Sequence, residues 1–407
     1  MIMTMIKSLR LVNWKSYKDS MLYIDPLTMI IGTNSSGKSN ALDALVFLSR
    51  IASGLEVYQS IKGDQNISPI RGGIDWVCRQ GTNQFKIETA IEYDGQDYTY
   101  SITVEVDKTK ALITEEKLMQ NSKRLFYTKM KDSHLLNIPT YFATGNQGKG
   151  QNFDLNRNTA ILYQAKNLQL RKKETIGVVT RILEELSGIF VLNPIPNHMR
   201  DYSTLSDKLL PDASNIAGVL AAMDEAQQKK IEGKLTLYLK DIPEKDIKET
   251  WVESVGKFNT DAMLYCKESW GDNGENIVDA RGMSDGTLRF LAIVVTMLTT
   301  KMNKLVVIEE VDNGLHPSRS HILLEMLKDL GAERNIDVII TTHNPALLNE
   351  AGTTMIPFIT VAHRTHAGES ELTLLEDIGE LPKLIASGNI GDLTSNGKIE
   401  SALAKEG

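Results

Sequence analysis

A glycine-rich octet near the start of the chain has the residue types and the spacing of a phosphate-binding loop. Residues 32–39, GTNSSGKS, fit the pattern GxxxxGK[ST]. Glycines let backbone N–H groups face phosphate oxygens without a Cβ in the way, and a following helix adds the positive end of its dipole. Lys38 offers a point charge for the β- and γ-phosphates, and the Ser39 hydroxyl is a ligand for Mg²⁺. The predicted nucleotide-binding residues are Gly32, Asn34, Ser35, Ser36, Gly37, Lys38, Ser39 and Asn40.

Two adjacent carboxylates, Glu309 and Glu310, follow the apolar run 305–308. Such a run predicts a buried strand, and neighbouring residues of a strand point to opposite faces, so the two side chains can take different tasks. One carboxylate can hold Mg²⁺ through its water shell while the other aligns and polarises an attacking water. A solvated acidic turn would be the commoner explanation of this pair alone, but a phosphate loop requires such a partner. We therefore predict that the pair serves nucleotide hydrolysis.

Two further polar positions stand where ligands bind in α/β folds. His343 ends the apolar run 338–342, and the carboxyl end of a buried strand is where such sheets bind ligands, so His343 can bond a γ-phosphate or an attacking water. Ser284, Asp285 and Gly286 precede a predicted helix, and a small polar turn at a helix start can bind an anion. Taken alone, that turn is better explained as an ordinary helix cap.

The elements around these residues predict a parallel α/β sheet. The apolar run 27–31 predicts a buried strand and the spacing of apolar residues in 40–50 predicts a helix, so the octet opens a P-loop fold. Strands and helices alternate again towards the C-terminus, which is typical of a parallel sheet. The elements predicted there are a helix at 286–300, a strand at 304–309, a helix at 317–330 and a strand at 337–342.

The middle of the chain follows other patterns. Apolar and polar residues alternate with a period of two from residue 84 to about 131, and Asp94-Gly95 marks a hairpin turn, which predicts an antiparallel β-subdomain. Beyond it, helices are predicted at 174–186 and 215–239, a strand at 189–192, and β structure over 251–267. The sequence has no long heptad run, so no coiled-coil arm is predicted.

Composition excludes several function classes. The formal net charge of −7 excludes a polycation that coats nucleic acid along its whole surface, and no run of 18 uncharged apolar residues predicts a membrane span. The apolar N-terminus is broken by Lys7 and Arg10, which argues against a signal peptide, so a cytoplasmic location is expected. Basic residues do cluster locally, and solvated charged faces are the favoured explanation of these groups. They are Lys123, Arg124, Lys129 and Lys131, and Arg171, Lys172 and Lys173.

Four motifs together resemble those of ABC-type P-loop ATPases of the RecF/SMC/OLD group, in particular the stand-alone ATPases of bacterial antiphage and repair operons. They are the octet, MSDGTLR at 283–289, VVIEEVDNGLHP at 306–317 and TTHNP at 341–345; LRLVNWKSYKD at 9–19 and DASNIAGVL at 212–220 add to the likeness. The resemblance implies an α/β ATPase head with an antiparallel β-subdomain and a helical insertion. It divides the chain into an N-terminal ATPase lobe (1–107), an inserted β and helical region (108–280) and a C-terminal ATPase lobe (281–407).

The resemblance also implies a role for each motif. Ser284, Asp285 and Gly286 belong to the signature that binds the γ-phosphate held by a second subunit. Glu309 takes the Mg²⁺-associated position, Glu310 that of the catalytic base, and His343 that of the switch histidine; residues 313–316 form the D-loop. Two residues depart from the transporter pattern: Glu309 stands in place of an aspartate, and Asp285 in place of a glycine. Gln164 is the one candidate for a Q-loop glutamine.

The function that follows is an ATP-gated switch of bacterial antiphage defence. Two heads sandwich ATP and Mg²⁺ between them, as a homodimer or a higher oligomer. About sixty residues follow His343, too few for a further domain of typical size, so a nuclease-like effector would be a separate protein acting in trans. A RecF-like repair ATPase that binds DNA is the alternative. A scaffold that binds ATP and hardly hydrolyses it is a third hypothesis.

Overall fold

The computed structural model describes residues 4–130, 135–144, 150–240, 247–269 and 274–406, so Lys131 of the first basic group lies outside the described residues. The strands are β1 Thr4–Trp14, β2 Tyr17–Tyr23, β3 Leu27–Ile31, β4 Gln84–Tyr93, β5 Gln96–Asp107, β6 Lys110–Gln120, β7 Lys123–Thr128, β8 Asn137–Phe142, β9 Gln151–Asn156, β10 Phe190–Leu192, β11 Ser203–Thr204, β12 Ile247–Val255, β13 Asp261–Ser269, β14 Glu275–Asp279, β15 Leu305–Ile308, β16 Asp337–Thr341, β17 Ile359–Arg364 and β18 Ser370–Leu374. The helices are α1 Lys38–Ala52, α2 Val57–Lys62, α3 Gly73–Trp76, α4 Ile161–Ala165, α5 Lys173–Ser187, α6 Ile216–Ala221, α7 Glu225–Lys240, α8 Asp285–Thr299, α9 Ser320–Arg334, α10 Pro345–Ala351, α11 Leu381–Ile385, α12 Ile390–Ser395 and α13 Lys398–Glu406.

One continuous sheet organises the chain. In the described ranges it has fourteen strands, in the order β10-β15-β16-β3-β17-β18-β2-β1-β4-β5-β6-β7-β8-β9. The first five strands run parallel to one another, and from β17 onwards neighbours are antiparallel except for β18 and β2. The parallel sheet and the antiparallel β-subdomain predicted from the sequence are therefore confirmed, and they form one sheet. The α/β class is confirmed with them.

Helices cover both faces of the parallel strands. Side chains alternate across β3: Met29 and Ile31 pack in the cluster that contains α8 and α9, whereas Ile30 packs in the cluster that contains α1 and α5. All five residues of β3 are buried, as a strand with helices on both faces requires. This burial fixes the strand that leads into the octet, and with it the position of the octet at the carboxyl edge of the sheet.

The last part of the chain completes the centre of the sheet. β17 pairs in parallel with β3, and β18 connects β17 to β2, so both strands lie between elements from the first 31 residues. Sequence analysis assigned no element to this segment beyond the strand at 337–342. The short helices α11, α12 and α13 follow, and the buried side chains of Leu381, Ile390 and Ile399 join the same core as α8.

Two predicted helices differ from the structure. The helix predicted at 215–239 is divided into α6 and α7, because the Asp224 carboxylate accepts a bond from the Gln227 N–H (2.9 Å) and starts a new helix there. The helix predicted at 317–330 begins with a tight turn at Pro317–Arg319, and α9 follows. A second, smaller sheet of β11 to β14 accounts for the predicted β structure near 251–267. In the ranges described, none of the helices combines the length and the apolar character needed to cross a membrane.

Candidate functional site

The octet turns sharply at two glycines that leave no room for side chains. Gly32 has φ 139° and a Cβ there would lie 2.1 Å from the carbonyl oxygen of Ala362. Gly37 has φ 119° and a Cβ there would lie 2.6 Å from Ser370 Oγ and 2.8 Å from the Tyr17 hydroxyl. Tyr17 also donates a hydrogen bond to the Gly37 carbonyl (2.9 Å). The C-terminal strands β17 and β18, together with β2, therefore pack against the loop, and only glycine fits at either position.

The polar groups of the octet are turned back on the loop. Lys38 Nζ donates to the carbonyls of Gly32 (2.5 Å) and Thr33 (3.1 Å). Burial lowers the pKa of Lys38, and the carboxylates of Glu310 and Glu309 oppose that shift. The Ser36 hydroxyl is buried and has no hydrogen-bond partner among the described residues. A cation bonded only to its own loop and an orphaned buried hydroxyl fit a cradle for phosphate oxygens.

The remaining members of the octet region make external bonds. Ser35, with φ 66°, accepts a bond at its carbonyl from Arg364 Nε (3.0 Å), and Asn34 is exposed. Asn40 Nδ2 donates to Ser16 Oγ (2.8 Å), so this predicted binding residue is committed to the turn between β1 and β2. Beside them opens a cleft of about 1100 Å³, whose walls include Ser16, Asn40, Trp76 and Arg364. It offers space next to the phosphate loop for the rest of a nucleotide.

Ser39 and Glu309 meet, as the Mg²⁺ prediction requires. The Ser39 hydroxyl donates a short hydrogen bond to Glu309 Oε1, although the two residues are 270 positions apart. Glu309 is buried at the carboxyl end of β15, where its N–H donates to the Leu192 carbonyl (3.1 Å). A hydroxyl and a carboxylate are the oxygen donors that Mg²⁺ prefers, so these two side chains fit the metal that the fold family implies.

Sequence analysis missed the groups that surround Glu309. Arg71 Nη1 donates to both carboxylate oxygens of Glu309 (2.6 and 2.9 Å), and its Nε and Nη2 donate to Asp43. Asp43 is also paired with buried Lys15. Burial lowers the pKa of Arg71, but its bonds to the two carboxylates raise it by more. No motif marked these residues, because their contacts join segments that are 28 to 238 positions apart.

Glu310 lies beside Glu309 but faces a different environment. It is exposed and has φ 47°, and its N–H donates to Thr341 Oγ1 (2.8 Å). Asn313 Nδ2 donates to its carboxylate (3.0 Å). His343 is exposed two residues after the end of β16, the strand between β15 and β3. Glu309, Glu310, His343 and the octet thus follow the carboxyl ends of three adjacent parallel strands.

The predicted signature lies at the start of α8. Ser284 caps that helix by accepting a bond from the Thr287 N–H (3.1 Å), and its side chain is exposed, as is that of Asp285. Gly286 is buried, and a Cβ there would lie 2.6 Å from the Gly314 carbonyl oxygen. Across the described ranges no hydrogen bond or ion pair joins residues 284–286 to residues 32–39. Within the described part of the chain, the predicted signature therefore makes no direct polar contact with the phosphate loop.

Arg200, which sequence analysis did not predict, bonds to the predicted signature, whereas the Q-loop candidate Gln164 lies elsewhere, next to β9. Arg200 Nη1 donates to the carbonyls of Ala280 (3.2 Å), Arg281 (3.0 Å) and Met283 (2.7 Å), and Nη2 to Asp285 Oδ1 (2.5 Å). In contrast, Gln164 uses its side-chain amide for the backbone of Asn156 and Thr159, next to β9. It caps that turn, and no hydrogen bond among the described residues joins it to residues 32–39.

Comparison with known proteins shows which family the chain matches. The sequence model of a family described as "AAA domain, putative AbiEii toxin, Type IV TA system" matches residues 27–349. A protein of Helicobacter pylori (strain ATCC 700392 / 26695), named ATP/GTP phosphatase, is 25% identical over 368 residues, which cover 84% of this chain and 85% of that protein.

Two solved structures are similar to the fold. One is described as "Crystal structure of the SmcHead bound to the C-winged helix domain of ScpA"; it aligns with 90% of this chain and 96% of its own, with a TM-score of 0.52 and 14% identity. The other is an Smc head domain with an extended coiled coil, bound to the C-terminal domain of ScpA derived from Pyrococcus furiosus. It aligns with 94% of this chain and all of its own, with a TM-score of 0.52 and 14% identity. The fold is therefore that of an SMC-type head.

Proposed function

The chain belongs to this AAA-domain family and is a P-loop ATPase of the RecF/SMC-like kind, and we propose that it acts as an ATP-gated dimeric switch that controls a separate effector. The observation that carries the proposal is the exposure of Ser284 and Asp285 at the start of α8, with no hydrogen bond or ion pair in the described ranges to the phosphate loop of the same chain. A signature placed there can complete the nucleotide site of a second copy. Each ATP would then bridge two chains, and its hydrolysis would remove the bridge.

Each residue of the proposed site has a separate task in the hydrolysis of ATP. Lys38 and the backbone N–H groups of the octet bind and orient the phosphates, while Ser39 and Glu309 would hold Mg²⁺, which neutralises charge on the phosphates when bound. Glu310 is free to accept a proton from the attacking water, since Asn313 orients its carboxylate from one side only. His343, exposed at the end of β16, can donate a hydrogen bond to the γ-phosphate.

The partner we propose is a nuclease-like effector of bacterial antiphage defence, acting in trans. The family description names a toxin of a "Type IV TA system", which supports a role in which the ATPase works together with a second protein. The nucleotide state of the dimer would set the affinity for that partner, because only the closed dimer presents both heads in one arrangement.

A RecF-like ATPase that binds DNA directly is the second candidate. It is supported by exposed basic residues of the antiparallel β-subdomain. They are Lys123 and Arg124 at the start of β7, and Lys129 after it. A DNA-binding enzyme would bind duplex DNA with a steep dependence on salt in the presence of ATP. A switch would instead change its affinity for a protein partner. DNA binding titrated with salt, using the purified chain and ATP, distinguishes the two candidates.

Complementation between two inactive variants tests the shared site. Lys38→Ala disables the phosphate loop, and Ser284→Arg places a bulky charge on the signature. In a two-fold dimer of one chain of each kind, one site combines an intact loop with an intact signature, and the other combines both lesions. An equal mixture should therefore recover up to about a quarter of the parent ATPase activity, whereas each variant alone has almost none.

Gln227→Arg, an exposed position on α7, is the matched control for the added charge and should keep full activity. If Ser284→Arg hydrolyses ATP at the parent rate as a monomer, the shared site does not exist and the proposed switch is wrong.

A further inference from the structure

Arg71 occupies the acceptors that a metal ion would need. Its Nη1 lies 2.6 and 2.9 Å from the two carboxylate oxygens of Glu309, and its Nη2 donates to the Ser39 carbonyl (2.9 Å). Ser39 Oγ donates to the same carboxylate. Both Glu309 oxygens are thus engaged by donors of the chain itself. A cation that binds between Ser39 and Glu309 has to compete with a guanidinium already in place.

The cluster is arranged so that Arg71 can leave without leaving its second partner unpaired. The Arg71 side chain is 47% exposed, whereas the side chains of Asp43 and Glu309 are 6% and 11% exposed. Asp43 is also paired with Lys15, which is 5% exposed and donates to the Arg71 carbonyl (2.8 Å). The backbone at Arg71 is therefore anchored by Lys15, while its side chain borders the open cleft.

The balance of charge in this cluster supports the replacement of Arg71 by a divalent cation at Glu309. Lys15 and Arg71 carry two positive charges, which offset the two negative charges of Asp43 and Glu309. Withdrawal of Arg71 leaves one uncompensated negative charge at Glu309, beside the Ser39 hydroxyl. A divalent cation bound together with the nucleotide phosphates restores the balance, and buried carboxylates require such compensation.

We propose that Arg71 and Mg²⁺ compete for Glu309: Arg71 holds the Glu309 carboxylate in position and is displaced when Mg²⁺ enters with ATP. Arg71 is thus a positioning residue for Glu309 and a competitor of the metal. The inference rests on the proposed function, because it takes Glu309 as the metal-associated carboxylate. It goes beyond that function by assigning Glu309 a second cation, the Arg71 guanidinium, which excludes the metal.

Binding of Mn²⁺, followed by electron paramagnetic resonance of the free ion, tests the competition without reference to catalysis. Arg71→Gln should bind Mn²⁺ at least about ten-fold more tightly than the parent in the absence of nucleotide, since the competing charge is gone. Arg71→Lys keeps the charge but loses the two-pronged geometry, and should show a smaller gain. The matched control is Arg79→Gln, which removes an arginine of the same cleft that is paired with Glu369 (3.1 Å) and should leave the affinity unchanged.

Thermal unfolding shows whether each variant is folded. If Arg71→Gln does not fold, the Mn²⁺ affinity of Arg71→Lys tests the competition instead. Parent-like or weaker Mn²⁺ binding in a folded Arg71 variant overturns the inference. Glu309→Gln separates this failure from that of the proposed function, using Mn²⁺ with ATP as the probe. If Glu309→Gln abolishes Mn²⁺ binding while the Arg71 variants match the parent, only the inference is wrong. If Glu309→Gln binds Mn²⁺ and ATP like the parent, the metal site of the proposed function is wrong, and the inference with it.

Discussion

Gly286 and Gly314 are in backbone contact: a Cβ on Gly286 would lie 2.6 Å from the carbonyl oxygen of Gly314. Gly314 follows Asn313, which donates to the carboxylate of Glu310 (3.0 Å). The start of α8 and the proposed catalytic carboxylate of the same chain are therefore joined by a path of four residues. In the proposed dimer, α8 meets the nucleotide of the partner, so this path would connect the two nucleotide sites.

Gly286→Ala should disturb both stability and catalysis. The added methyl group overlaps the Gly314 carbonyl, so the loop must shift, and overpacking of this kind typically costs about 1–3 kcal/mol. Urea unfolding and ATPase assays measure the two effects. Gly233→Ala is the matched control, because Gly233 lies within α7 and a Cβ there meets nothing within 4 Å. That control should gain up to about 1 kcal/mol of stability. Parent-like stability and turnover in Gly286→Ala would contradict the contact.

Lys38→Ala should lose ATP affinity and turnover. The ammonium group has no bonding partner other than the loop carbonyls of Gly32 and Thr33 among the described residues, so its removal costs the fold little. Loss of a charge-assisted bond of about 1.5–3 kcal/mol predicts binding that is weaker by at least ten-fold. Titration with a fluorescent ATP analogue measures the affinity. Lys229→Ala, which removes an exposed lysine from α7, should bind like the parent. ATP hydrolysis by Lys38→Ala at the parent rate would refute the phosphate-loop assignment.

Glu310→Gln should bind ATP and fail to hydrolyse it. The amide keeps the shape of the side chain and loses the group that accepts the proton, which should lower turnover by about 10²–10⁴-fold. The variant should accumulate as a closed dimer with ATP and Mg²⁺, detected by light scattering after size-exclusion chromatography. Glu325→Gln on the exposed side of α9 is the control and should cycle like the parent. A Glu310→Gln chain that stays monomeric with ATP and Mg²⁺ argues against the sandwich.

Arg200→Lys should impair the signature selectively. Arg200 binds three backbone carbonyls and Asp285 through its planar fork, and a lysine ammonium cannot reproduce that geometry. ATP should still bind the single head with parent affinity, while ATP-dependent dimer formation and turnover fall together. Arg281→Lys, at an exposed arginine paired with Asp279, is the matched control. If Arg200→Lys dimerises like the parent, the hydrogen bonds of Arg200 to the signature have no role in dimer formation.

Glu185 should make stability depend on pH. Burial raises the pKa of Glu185 to about 7, although Lys304 opposes the shift. Because the folded chain holds this proton more tightly than the unfolded chain, stability is greatest below the ordinary carboxyl pKa of 4.5 and falls as the pH rises to about 7. The loss attributable to this group is at most about 3 kcal/mol.

Glu185→Gln should remove this part of the slope, and urea unfolding at pH 5 and pH 8 measures it. Glu184→Gln, at the half-exposed neighbouring position, should keep the parent slope. Equal slopes for all three chains would show that Glu185 remains ionised when buried.

Local patterns predicted the strands that carry the chemistry, because each is a short apolar run that ends in a functional group. The bounds of β3 were predicted to the residue, and β15 and β16 to within one residue at each end. The octet and Glu309 could be expected at the same edge of the sheet, because each follows the carboxyl end of a parallel strand. The roles of Arg71 and Asp43 could not be predicted from the sequence. Their contacts with Glu309 and with each other form only when α1, the segment before α3 and β15 pack together. The break between α6 and α7 was missed because a single capping side chain, Asp224, outweighs a continuous helical pattern.

The place of β17 in the sheet has a consequence for synthesis on the ribosome. β3 is made early, but its two neighbours are β16 and β17, and Gly32 rests against Ala362. A nascent chain that has emerged only as far as His343 contains every predicted nucleotide-binding motif and still lacks β17, one of the two neighbours of β3. Of the groups that contact Gly32 and Gly37 of its phosphate loop, this chain has Tyr17 but lacks Ala362 and Ser370 until residues 359–370 are made. A chain truncated between these points would keep its motifs and lose the support of the loop, so we expect ATP binding only after residues 359–370 have been made.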